Sequence, residues 1–250
     1  MKENSTVYKK FQDGEKKFVP LVDPDKFTSA GIKKVANFSE KAGVAFIFFG
    51  GSLVTKNKNL EFLKILKENC SVPIILFPGN QYQILEEADG ILLLSLISGR
   101  NAEMLIGNHV IAAPVLKASG LDIIPTGYIL IDGGKPTAVS YMSNSTPIPY
   151  DKDDIACCTA LAGEMLGMRL IYLDCGSGAI NPASTSMIQK IKKTIALPLI
   201  IGGGIRTVRQ AEIIWNAGAD VVVVGNAIEE NPDLILKIAE SRKKNGLPRG

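Results

Sequence analysis

Short apolar runs alternate with helical patterns along the whole chain. Runs at residues 18–22, 44–49, 73–77, 90–96, 123–131, 169–173, 197–201 and 220–224 read as strands. Between them, apolar positions recur three and four apart at 29–41, 60–69, 102–116, 151–167, 184–194, 208–217 and 232–243. A leading helix is predicted over 6–16. Strictly alternating strands and helices build a parallel α/β fold. Eight strands at this spacing favour a closed (β/α)8 TIM barrel over an open doubly wound sheet. One domain, 1–250, is expected, with 247–250 as an unstructured tail.

Two stretches break the rhythm. Only residues 78–89 separate the third strand from the fourth, too few for a barrel helix and its two loops. The third helix is expected to be missing or replaced by a short spacer. That would leave the barrel wall uncovered or open a groove beside it. The second stretch, 132–150, carries Gly133, Gly134, Pro136, Pro147 and Pro149. Ordered connections of this length are often functional, so a lid or a small hairpin is expected.

Charge narrows the partners. The net charge is +3, with 28 basic residues against 25 acidic ones, and the basic residues are scattered. That excludes the basic stripe on which nucleic-acid affinity rests. Lys9, Lys10, Lys16, Lys17, Arg242, Lys243 and Lys244 read as solvated helix faces. Cys70, Cys157, Cys158 and Cys175 have neither metal-ligand spacing nor the look of a disulfide framework, which points to a reducing, cytoplasmic compartment. The polar N-terminus does not read as a signal peptide, and no apolar run nears the ~20 residues of a membrane span. His109 is the single histidine, so a histidine pair or a serine triad is excluded. It reads as a packing or capping residue.

Chemistry in such barrels sits at the C-terminal ends of strands. Three late strand ends are rich in glycine: Tyr172, Leu173, Asp174, Cys175, Gly176, Ser177, Gly178; then Gly202, Gly203, Gly204, Ile205, Arg206; then Gly225, Asn226. Bare backbone N–H groups ahead of helix starts suit phosphate, and the loops after the last strands are the usual place for it. The plainer reading is three tight turns. Asp23 and Asp25 end the first strand and Ser52 follows the second. Their hard oxygens suit Mg²⁺ bound together with substrate phosphates, or Asp23 and Asp25 only cap the next helix. Asp174, beside Tyr172, is placed to hydrogen-bond ligand hydroxyls and accept a proton.

Taken in order, Asp23-Pro-Asp-Lys26, Phe49-Gly-Gly-Ser52, Phe77-Pro-Gly-Asn80, the run from Tyr172 to Gly178, Gly202-Gly-Gly-Ile-Arg206 and Val224-Gly-Asn226 resemble geranylgeranylglyceryl phosphate synthase and its bacterial PcrB relatives. The missing third helix also matches that family. The resemblance implies a prenyltransferase that joins sn-glycerol 1-phosphate to a polyprenyl diphosphate through an ether bond, with Mg²⁺ assistance. Positions matching Asp23 and Ser52 would hold the metal. Tyr172 through Gly178, Gly203, Gly204, Gly225 and Asn226 would hold glycerol 1-phosphate. Asp25, Lys26 and Arg100 are candidates for diphosphate contact. Phe77, Tyr82 and Tyr128 are candidates along a prenyl channel. The family usually has Glu where this chain has Asp174. The resemblance also implies a homo-oligomer and peripheral membrane contact through the lipid product. Prenyl length stays open between geranylgeranyl and heptaprenyl. Two other readings remain: another phosphate-binding barrel enzyme, and a non-catalytic metabolite-binding barrel.

Overall fold

Eight parallel strands hydrogen-bond into a closed ring in sequence order. They are β1 (Lys17–Val22), β2 (Ile47–Phe49), β3 (Ile74–Leu76), β4 (Gly90–Leu96), β5 (Asp122–Leu130), β6 (Leu170–Asp174), β7 (Leu199–Gly202) and β8 (Val221–Val224). The computed structural model describes residues 6–56 and 58–244. The expected tail at 247–250 lies outside the described residues. Closure runs through β1 and β8, where Phe18 faces Val222 and Pro20 faces Val224.

Period-two alternation splits the apolar residues into two shells. Val19, Phe48, Ile75, Leu92, Ile124, Tyr128, Tyr172, Ile200 and Val223 fill the barrel interior. Phe18, Ile47, Ile74, Ile91, Ile129, Leu173, Ile201 and Val222 face the helices outside. Fully burying one such side chain stabilises the fold by about 1.5–3 kcal/mol.

The helices are α1 (Thr6–Phe11), α2 (Ser29–Ala42), α3 (Asn59–Asn69), α4 (Asn108–Ala118), α5 (Ala138–Met142), α6 (Asp153–Met165), α7 (Thr185–Thr194), α8 (Val208–Asn216), α9 (Asn226–Glu230) and α10 (Leu234–Lys244). α1 stops five residues short of the expected end, because Gly14 turns the chain at φ 78° before β1 begins. Its Phe11 stacks on Phe46 at 4.4 Å, so the helix packs against the inner shell.

Between β3 and β4 the chain makes only a single 3-10 turn, Gln81–Gln83, as expected. The helix predicted over 102–116 instead opens as a π turn, Glu103–Gly107, before settling into α4. The long 132–150 connection is not a hairpin. It holds the short helix α5 and returns to the barrel through a single bridge between Ile131 and Ile148. α9, directly after β8, was hidden in the sequence because five residues are too few to show a period.

Candidate active site

Two cavities open at the C-terminal ends of the strands and share one rim. The mouth is lined by Asp23, Lys26, Tyr172, Asp174, the glycine loops after β6, β7 and β8, and Glu229. The second cavity is an apolar groove beside β4, lined by Leu92, Leu94, Met104, Ala112, Leu116 and Tyr128 among others. Gly51, Ser52 and Phe77 line both. The groove exists where a full third helix would have covered the wall. Gly79 holds the short connection down: a Cβ there would lie 2.5 Å from the Gly51 carbonyl oxygen. Gln83 ties the same turn to β2, accepting from the Gly51 N–H at 3.3 Å and donating to the Gly51 carbonyl at 2.9 Å.

The phosphate side of the mouth is built from loops in close contact. Gly203 takes φ 82°, and a Cβ on it would lie 2.7 Å from the Gly176 nitrogen and 2.9 Å from Asp174 Oδ1. Only glycine fits that approach. Arg206 binds the loops together, donating to the carbonyls of Ala179 at 2.5 Å and Ile180 at 3.1 Å. The Gly178 N–H and the Ser177 hydroxyl both donate to Asn226 Oδ1, each at 2.9 Å.

The floor carries a buried polar pair. Asp174 is the last residue of β6 and points inward with Tyr172. One of its oxygens accepts from the Tyr128 hydroxyl and the other from the Gly176 N–H at 2.7 Å. Burial pushes its carboxyl above the usual range, and these two hydrogen bonds pull it back in part. Burial also pushes the phenols of Tyr128 and Tyr172 well up, so both are donors at neutral pH. Tyr172 packs edge-on against Tyr128 at 5.5 Å.

The opposite side is charged. Asp23 follows β1, and Lys26 Nζ lies 3.8 Å from its Oδ2 and 3.7 Å from Glu229 Oε2. Burial raises the Asp23 carboxyl, against hydrogen bonding from Asp25 and the charge of Lys26. Burial likewise raises Glu229, with Lys26 opposing and Asp23 adding to the rise. Among the described residues no group of three or more His, Cys, Asp or Glu side chains could hold a metal alone. Asp23 and Ser52 both line this mouth, a sparse set of hard oxygens. That suits Mg²⁺, which takes one or two carboxylates and completes its shell with water and substrate phosphates.

A model of the PcrB family matches residues 11–242. The chain belongs to the PcrB family. It is 50% identical over 242 residues to a Chitinophaga pinensis protein named geranylgeranylglyceryl phosphate synthase, covering 95% of this chain and 96% of that one. A Thermococcus gammatolerans protein of the same name is 39% identical over 239 residues, covering 95% and 92%. The fold matches (S)-3-O-geranylgeranylglyceryl phosphate synthase of Thermoplasma acidophilum, solved in complex with sn-glycerol-1-phosphate. That match has a TM-score of 0.88 and 30% identity, and covers 95% of this chain and 97% of that one. This PcrB-family chain is an enzyme, a prenyltransferase.

Most residues named from the sequence meet at the mouth of this PcrB-family barrel: Asp23, Lys26, Ser52, Tyr172, Asp174, Gly176, Ser177, Gly178, Gly203, Gly204, Gly225 and Asn226. Phe77 and Tyr128 line the groove. Five others do not join them. Leu173 and Cys175 face the outer shell, since they alternate with Tyr172 and Asp174. The Cys175 N–H is used on the Gly202 carbonyl. Asp25 turns away to accept from the Thr55 N–H at 2.6 Å, the Thr55 hydroxyl at 2.8 Å and the Lys56 N–H at 3.0 Å, so it staples the loop after β2. Arg100 donates to the carbonyls of Gly99 and Ser98 and lines a separate groove against α6. Tyr82 is 85% exposed, because the 3-10 turn sends Gln83 inward instead.

Sequence reasoning missed Glu229, Gln83 and Arg206 as parts of the site. Glu229 lies on the short helix α9, which carries no periodic signal. Arg206 ends the glycine run after β7, and its clamp on the Ala179 and Ile180 carbonyls depends on how two loops meet, which has no local sequence signal. His109 is neither cap nor pure packing. Its Nε2 lies 3.1 Å from Ser95 Oγ on the groove wall, and burial lowers its pKa so that it stays neutral.

Proposed function

We propose that this chain joins the C3 hydroxyl of sn-glycerol 1-phosphate to a polyprenyl diphosphate, with geranylgeranyl diphosphate the favoured donor. An ether C–O bond forms at the allylic carbon, the carbon–diphosphate bond breaks, and pyrophosphate leaves. The observation that carries this reading is the shared rim. A polar mouth built from glycine loops opens at Gly51, Ser52 and Phe77 into an apolar groove, so one ligand can place its charged end and its tail in different environments. The relatives' names and the solved neighbour's bound sn-glycerol-1-phosphate agree with it.

In this reading the backbone N–H groups around Gly178, Gly203, Gly204 and Asn226 hold the phosphate. Asp174 orients the attacking hydroxyl and takes its proton, while Tyr128 fixes the carboxylate. Asp23 and Ser52 would hold Mg²⁺, which would supply charge neutralisation for the departing diphosphate. Lys26 adds a fixed positive charge beside it. The allylic donor ionises readily, so no strong nucleophile is required. The chain's part is to orient two substrates and shield them from water.

The exposed apolar side chains Ile106, Val110, Ile111 and Val115, on the π turn and α4, support a homo-oligomer joined through this face. Sedimentation of the Val110→Glu variant tests that. No helix among the described residues is long and apolar enough to cross a membrane. Contact with a lipid surface is therefore proposed as peripheral, through substrate and product. A cytoplasmic site of action rests on the free cysteines of the described residues.

The deciding experiment incubates the enzyme with radiolabelled sn-glycerol 1-phosphate, Mg²⁺ and diphosphates of graded length. Label is expected in an organic-soluble product whose mass equals the two substrates less pyrophosphate. Label that stays aqueous with every donor would sink the reading.

A further inference from the structure

Among the described residues, Glu229 touches both halves of the mouth. Its Oε2 accepts from Asn226 Nδ2 at 3.2 Å and lies 3.7 Å from Lys26 Nζ. Lys26 stands 3.8 Å from Asp23 on the diphosphate side. Asn226 stands on the phosphate side, where its Oδ1 accepts from Ser177 and Gly178. A continuous line of polar contacts therefore runs Gly178, Asn226, Glu229, Lys26, Asp23. Glu229 is only 15% exposed, so its interactions are weakly screened by solvent.

The orientation of Asn226 gives the line a direction. Two donors face one end of its carboxamide and a carboxylate faces the other. Only one placement of oxygen and nitrogen satisfies both neighbours. In that placement Oδ1 holds the donors that an arriving phosphate would need. A phosphate oxygen and the amide oxygen cannot share those donors without repulsion. A phosphate that takes the Ser177 and Gly178 donors displaces Oδ1 from them, and a carboxamide turned to suit the phosphate no longer donates to Glu229. The Glu229 carboxylate is then left with Lys26 as its partner.

We infer that Glu229 is a positioning residue that couples the two substrate half-sites by holding Asn226 with one contact and Lys26 with the other. This rests on the functional reading above, since it takes the glycine side to bind the phosphate and the Asp23 side to bind the diphosphate. Coupling between sites is reciprocal, so occupancy of either side changes affinity at the other by one and the same factor. Energies typical of such coupling correspond to at least about fivefold.

The test is calorimetric and needs no turnover. sn-Glycerol 1-phosphate is titrated into the full chain alone, and then in the presence of Mg²⁺ and inorganic pyrophosphate. In the wild type its Kd is expected to change at least about fivefold between the two conditions, the lower bound of typical coupling. Glu229→Gln keeps an oxygen acceptor for Asn226 but removes the charge that holds Lys26. Its Kd for glycerol phosphate, whatever its value without the second ligand, is expected to change little on adding Mg²⁺ and pyrophosphate. Glu229→Ala, which removes both contacts, should lose the coupling as well. If alanine lowers the unfolding temperature, the near-isosteric glutamine variant decides. Wild-type binding of both ligands with no coupling would overturn this inference alone. So would coupling of wild-type size in Glu229→Gln. Failure of the wild type to bind glycerol phosphate at all would overturn the functional reading and this inference with it.

Discussion

The Tyr128 hydroxyl donates a hydrogen bond to the buried Asp174 carboxylate, across adjacent strands at the floor of the mouth. The strand register explains the reach. Tyr128 lies opposite Tyr172 and Leu130 opposite Asp174, so Tyr128 meets Asp174 diagonally on the inward face. Burial drives the carboxyl towards protonation, while Tyr128 and the Gly176 N–H oppose that. The pair sets how much base is available near neutral pH.

Tyr128→Phe removes one of the two opposing contacts. The Asp174 carboxyl should then rise further, and the acid limb of kcat/KM against pH should move to higher pH. A hydrogen bond to a charged group is worth about 1.5–3 kcal/mol, so kcat should fall by about 10- to 100-fold. Stability follows the same sign. The folded carboxyl titrates above its unfolded value, so its stabilising contribution is full below the unfolded pKa of about 3.9 and is lost as pH rises through the folded pKa. Raising that folded pKa carries the loss to higher pH. The variant's deficit in unfolding temperature should therefore widen from pH 4 towards neutrality. A constant deficit would mean that Tyr128 acts through packing alone.

Asp174→Asn tests the carboxylate itself. General-base roles typically contribute about 10²–10⁴-fold, and kcat should fall within that range. Glycerol-phosphate affinity should hold within a few-fold, because the phosphate contacts come from the glycine loops. The amide can accept from Gly176 with its oxygen and donate to the Tyr128 oxygen with its nitrogen. The unfolding temperature at pH 7 should therefore stay near the parent's, since the amide keeps a partner at both of these contacts. Parent-level turnover in this variant would leave Asp174 a structural strand end.

The fold was legible because its signal is periodic. Alternation set Tyr172 and Asp174 inward from Leu173 and Cys175, although the motif named all four as ligand contacts. The short span between β3 and β4 pointed to a bare wall or a groove, and a groove is what lies there. What stayed hidden depends on side-chain direction within short irregular pieces. A 3-10 turn placed Gln83 rather than Tyr82 against the barrel. A loop geometry turned Asp25 towards Thr55 and away from Asp23. α9 brought Glu229 into the mouth from a segment with no period to read.

Asp23→Asn removes the charge that faces both Lys26 and the site proposed for Mg²⁺. Turnover should drop at least about 100-fold at limiting Mg²⁺ and recover only in part at high Mg²⁺, as expected when one carboxylate of a sparse shell is lost. Glycerol-phosphate Kd, measured without metal, should stay near the parent value. Full activity at limiting Mg²⁺ would remove Asp23 from the metal site.

Gly203→Ala should fail for two reasons that act together. The position needs φ 82°, which an L side chain rarely adopts, and the new Cβ would meet Gly176 N at 2.7 Å. Backbone strain of this kind costs about 1–3 kcal/mol. The loops after β6 and β7 would have to part, which opens the phosphate side of the mouth. Glycerol-phosphate affinity should fall more than tenfold while the barrel still folds, as circular dichroism would show. Unchanged affinity would mean that the phosphate does not sit between these loops.

Ala112→Phe asks where the tail runs. Ala112 lies on α4 and lines the groove together with Leu92, Leu94 and Leu116. Each buried CH₂ is worth about 0.8 kcal/mol, so each five-carbon unit denied its place loses up to about 4 kcal/mol of binding. Ala112 lines the groove and not the mouth, so a phenyl ring there narrows the one and spares the other. kcat/KM for a 20-carbon donor should fall by at least 100-fold, while that for a 10-carbon donor stays within about threefold. The difference between the two donors separates a blocked groove from general damage, which would lower both. If both fell equally, or if neither changed, the tail would have to leave the mouth by another route. The apolar wall uncovered by the missing third helix would then serve packing or assembly instead of chain binding.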